Sequence, residues 1–82
     1  MLQYTSHSLR DTMFQTFFFV AERTATIQGC TQDQQELIKM RAESFRSADR
    51  WIVANYPGWT TWHTDKPQQY LLTSTNFASF AA

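Results

Sequence analysis

The run Phe17-Phe18-Phe19-Val20-Ala21 constrains this chain more than any other feature, because it is apolar at every position and only five residues long. Five residues fall far short of a bilayer span, which takes about 20 helical residues. As an extended segment, the run puts Phe14, Thr16, Phe18 and Val20 on one face. Phe17, Phe19 and Ala21 then lie on the other. Phenylalanine, valine and the surrounding threonines favour a pleated strand and make poor helix. A helix starting at Ser8, with Ser8 and Asp11 as a capping box, is the competing reading. Strand is preferred over residues 13–28. A strand apolar on both sides needs two covers, because water against either face would leave a large apolar patch.

One cover is a helix. Residues 36–44 alternate, with Ile38, Met40 and Ala42 on one face and Lys39, Arg41 and Glu43 on the other, the period of a half-buried strand. Ser44 then supplies an N-cap for a helix over residues 45–55, with Ala48, Trp51, Ile52 and Tyr56 on or near one side. Pro57 disfavours helical geometry at Tyr56, and Gly58 helps the chain turn. The polar residues 28–35 read as a hairpin loop. Residues 59–64 read as a short aromatic strand, Asp65-Lys66-Pro67 as a turn, and residues 69–75 as a further strand. The tail, residues 76–82, reads as docked or frayed.

The expected fold is therefore α+β: one domain over residues 1–82, a small antiparallel sheet in the order β-β-α-β-β, and one helix packed across it. The alternative joins residues 32–55 into one long helix, giving a two-helix hairpin-like core with a C-terminal β-hairpin. Phe18 or its strand neighbours, with Ile38, Ala48 and Ile52, form the expected core.

Charge and chemistry exclude more than they assign. Seven basic and seven acidic residues cancel. A chain that tracks nucleic acid by charge is clearly basic, and one that imitates it is clearly acidic. Cys30 is the only cysteine, so no internal disulfide forms, which suits a reducing compartment. No signal-peptide pattern is present, since no lysine or arginine precedes Arg10. A cytoplasmic location and no membrane association are expected. His7 and His63 are the only histidines, and neither has a second His or Cys close along the chain, so no metal site is expected. The neighbours of Cys30 do not activate a thiolate toward a distant His63: Thr31, Gln32 and Gly29 are neutral, and Asp33 opposes ionisation. Two glycines 29 positions apart build no phosphate loop, and the carboxylates are scattered singly. No enzyme, no catalytic residue and no cofactor are expected.

The aromatic excess remains: seven Phe, three Tyr and three Trp. Phe17, Phe19, Trp51, Trp59 and Trp62 are the protein-interaction candidates, since large aromatics dominate binding hot spots. The expected function is a small non-enzymatic protein-binding module. A phage or mobile-element inhibitor of a host complex, such as an anti-defence or anti-CRISPR protein acting by surface contact, has this profile. Zero net charge removes the long-range repulsion that opposes a homodimer. The alternative is a nucleic-acid-binding domain using Lys39, Arg41, Arg46 and Arg50 beside Trp51, although Glu43 and Asp49 sit among them.

Overall fold

The computed structural model describes residues 14–72 and 76–82. The long hairpin forms as the Phe run dictates. β1 (Gln15–Ile27) and β2 (Cys30–Ala42) pair antiparallel along thirteen residues each. The loop between them is two residues, not the eight expected. Gln28 (φ 52°) and Gly29 (φ 81°) both adopt positive φ, the requirement of a type I′ hairpin turn. The residues read as loop are instead paired strand, from Thr31 opposite Thr26 to Gln35 opposite Glu22. Ladder hydrogen bonds there are indifferent to the polarity of the side chains.

The one-helix alternative over residues 32–55 does not form. Ser44 is extended, and its Oγ accepts from Ser47 N–H at 3.1 Å, opening α1 (Phe45–Asn55). Tyr56 N–H closes the helix on Ile52 O at 2.9 Å, and Gly58 (φ 84°) reverses the chain before Trp59. α1 lies over the face carrying Phe19, Ala21, Ile38, Met40 and Ala42, and buries Ala48 and Ile52 against them. The expected core residues Ile38, Ala48 and Ile52 are fully buried; Phe18 is half-buried, and its neighbours Phe19 and Val20 are fully so.

The C-terminal third departs from expectation. β3 (Thr60–His63) joins β1 antiparallel, within the segment read as strand. Residues 69–72 are not strand: Pro67, already helical, starts a single turn, α2 (Gln68–Leu71), with Tyr70 N–H on Pro67 O at 3.0 Å. The remaining expected strand residues, 73–75, lie outside the described set, as do His7 and the alternative helix start at Ser8 and Asp11. The tail is neither frayed nor simply docked. It forms β4 (Asn76–Ala81), which pairs with β2 in parallel. The sheet is thus mixed, not antiparallel, in the order β3-β1-β2-β4, and the chain order is β-β-α-β-α-β. The class is α+β.

The topology also brings a residue of α2 to the second face. β3 and β4 lie at opposite edges of the sheet, so the chain joining them has to cross it. Tyr70 marks the side: its hydroxyl accepts from Trp62 Nε1 at 3.4 Å, and Trp62 shares the face of its partner Val20, opposite α1. Val20 and Leu37, side by side on that face, have no exposed surface. The centre of the second face is thus closed within the chain itself.

Candidate functional site

Several charged and polar groups on the helix side of the sheet are tied to one another. Tyr56 donates its hydroxyl to Glu36 Oε2. Burial, then that hydrogen bond and the carboxylate charge, push the phenol well above its ordinary range. Arg23 lies 4.5 Å over the Trp59 ring and donates Nε to Gln34 Oε1 at 2.7 Å. Trp59 meets Tyr56 edge-on at 5.7 Å between ring centres. His63 sits among Phe17, Phe19 and Phe45, 5.2 Å from the Phe45 ring centre, with Nδ1 3.8 Å from Asp65 Oδ1.

The five aromatic candidates do not form one surface. Phe17, Phe19, Trp51 and Trp59 pack on the helix side, and Phe19 has no exposed surface. Trp62 lies on the opposite face beside Tyr70. The basic candidates divide as well. Lys39 and Arg41 point to the second face of β2, away from the buried Ile38, Met40 and Ala42, while Arg46 and Arg50 are exposed on α1. Cys30 is exposed at the hairpin tip opposite Ile27, whereas His63 pairs with Phe19. Eight residues of strand, roughly 26 Å, separate those two levels. Among the described residues, no three His, Cys, Asp or Glu side chains come together as metal ligands. None of the described helices is long and apolar enough to cross a membrane.

What the fold does assemble is an edge and a groove at β4. Ala82 N–H donates to Arg41 O at 2.8 Å. In this parallel ladder, the even-numbered residues of β4 therefore turn their N–H and C=O inward to β2. Phe77, Ser79 and Ala81 turn theirs outward, along an edge that has no strand beyond it among the described residues. Beside that edge, an open groove of about 380 Å³ runs between α1 and the end of β4, lined by Ser47, Arg50, Trp51, Ala54 and Asn55 of the helix and by Ala81 and Ala82. Trp51 is the groove's one aromatic lining residue, and its ring stacks on Phe80 at 4.7 Å and an interplanar angle of 37°. Phe77 is 53% exposed and Phe80 37%.

Trp51 is the one aromatic candidate at this site; Phe77, Ser79 and Phe80 were not among them. A signal existed, since no charged side chain follows Lys66. The chain matches no protein-family model, no curated protein and no solved structure.

Proposed function

We propose that this chain is a small protein-binding module that accepts a β-strand from a protein partner along the outer edge of β4, with the adjoining groove receiving one of that strand's apolar side chains. The observation that carries this reading is that, among the described residues, the edge is undefended. Native sheets protect exposed edges with short strands, charged residues, prolines or bulges. The other edge, β3, has four residues and runs directly into Asp65, Lys66 and Pro67. β4 is longer, Asn-Phe-Ala-Ser-Phe-Ala, with none of those devices. Main-chain bonds would supply affinity, and Trp51 with Ala54, Ala81 and Ala82 in the groove would favour an apolar side chain. The nucleic-acid alternative is less well supported, because Lys39 and Arg41 lie on a different face from Arg46 and Arg50. Occupying a partner's strand edge blocks whatever that strand would otherwise join. The inhibitor of a host complex expected from the sequence, of phage or mobile-element kind, is a use that fits such a device.

Ser79→Pro tests the reading. Ser79 turns its N–H outward, so proline removes a donor that no bond to β2 uses, and proline is tolerated on a strand edge in that orientation. Capture of a partner from the native host by the wild type and not by the variant is expected, with circular dichroism unchanged. Equal capture by both would move binding away from β4.

A further inference from the structure

We infer that the strand β4 accepts is β4 of a second copy of this chain, giving a two-fold dimer with one continuous eight-stranded sheet. The inference rests on the strand-accepting reading above and names the partner.

Its basis is that β4 is complementary to itself in one register. A two-fold axis perpendicular to the sheet keeps α1 of both copies on the same side and requires paired residues to share a face. Outward-facing residues must also meet outward-facing residues to exchange hydrogen bonds. With Ser79 opposite Ser79 of the second copy, both conditions hold. Phe77 then faces Ala81 and Ala78 faces Phe80, so every phenylalanine lies against an alanine. This register uses Phe77, Ser79 and Ala81 of both copies, giving about six main-chain hydrogen bonds. Moving the axis by one residue either way opposes Phe80 to Phe80 or Ala78 to Ala78, and carries fewer bonds within Asn76–Ala81. No charge is brought against a like charge at the seam, because β4 has none, and the chain's net charge is zero. Phe80, stacked on Trp51, lies along the new seam, which would cover the half-exposed Phe77 and Phe80.

The test uses the purified chain alone, with Cys30→Ser as background so that the exposed native thiol plays no part. Directly opposed, hydrogen-bonded residues have Cα atoms about 5.5 Å apart, within disulfide range. Ser79→Cys should therefore form a covalent dimer on mild oxidation. Ala81→Cys should not, since its own copy lies about four residues, roughly 13 Å, along the seam. Sedimentation of the wild type should give a dimer, and Ser79→Pro should weaken association by about tenfold or more. Equal cross-linking at positions 79 and 81, or a dimer indifferent to Ser79→Pro, overturns the inference. A monomer whose capture of a host protein is still lost on Ser79→Pro overturns the dimer alone. A monomer whose capture is untouched overturns the strand-accepting reading as well.

Discussion

Gln28→Asn should tighten the outer half of the hairpin. Gln28 holds φ 52° at the first position of a two-residue turn. Left-handed backbone costs a side-chain-bearing residue about 1–2 kcal/mol. Asparagine tolerates that region better, and Asn-Gly is the favoured pair for this turn, so about half the cost, roughly 0.5–1 kcal/mol, should be recovered. Glycine would relieve the strain too, but would return about 0.5–1 kcal/mol through unfolded-state freedom. The gain should be local. β3 reaches only to Glu22 and β4 only to Glu36, so residues 23–34 form a two-stranded arm outside the core. Its ties are the ladder itself, Arg23 to Gln34, Thr24 Oγ1 to Asp33 Oδ1 at 3.0 Å and, at its base, Arg23 over the Trp59 ring. Such an arm opens without global unfolding. The assay is amide exchange at Ala25 and Gln32, a directly opposed pair whose amides point across the arm. Their exchange should slow about two- to fivefold, while the amides of Phe19 and Ile38 change little. Unchanged or faster exchange at Ala25 would refute the argument that turn strain limits the arm.

Ile52→Ala removes a fully buried side chain from the α1–sheet contact and should cost about 2–5 kcal/mol in denaturant melts; a loss below about 1 kcal/mol would show that the contact does not hold the helix down. Tyr56→Phe leaves Glu36 without its phenol partner and should cost about 1–2 kcal/mol near neutral pH. The Tyr56 phenol titrates higher folded than unfolded, so its contribution is intact below the unfolded value of about 10 and is lost as pH climbs above it. Melts from about pH 9 to about pH 11 should show wild-type stability falling more steeply than that of Tyr56→Phe, and parallel slopes would count against the Glu36 contact.

The centre of the fold was legible because burial enforces period there. Ile38, Met40 and Ala42 alternate since one face of β2 meets α1, and Ser44, Pro57 and Gly58 bracket the helix by backbone chemistry alone. The hairpin arm was misread because nothing buries it: Thr31 to Gln35 carry no apolar alternation, and only the ladder makes them strand. β4 was missed for a related reason. Phe77 and Phe80 are three apart, which breaks a period of two, and alanine and serine have little strand preference of their own. Its pairing with β2 is a long-range parallel contact across a connection that includes α1, β3 and α2, and no short window of sequence holds that information. Trp51 could be read as aromatic and near the helix's apolar side. That it would stand against Phe80 followed only once the tail joined the sheet.

The mismatch in strand length makes β4 the focus of the molecule. Two thirteen-residue strands are flanked by strands of four and six, so among the described residues main-chain edges have no strand beyond them along the arm and along both outer strands. The arm's outward-turned positions include Asp33 on β2 and threonines at 24, 26 and 31, and its tip is bent through a strained turn. A charge and a sharply twisted two-residue hairpin both discourage an incoming strand. β3 is too short to offer more than two outward pairs before Asp65 and Pro67 intervene. β4 alone combines length, absence of charge and an adjoining apolar groove. In a chain with no net charge to keep copies apart, such an edge left free would invite irregular strand addition. A defined two-fold seam centred on Ser79 removes that hazard, because each copy then covers the other's edge and no open strand remains on that side.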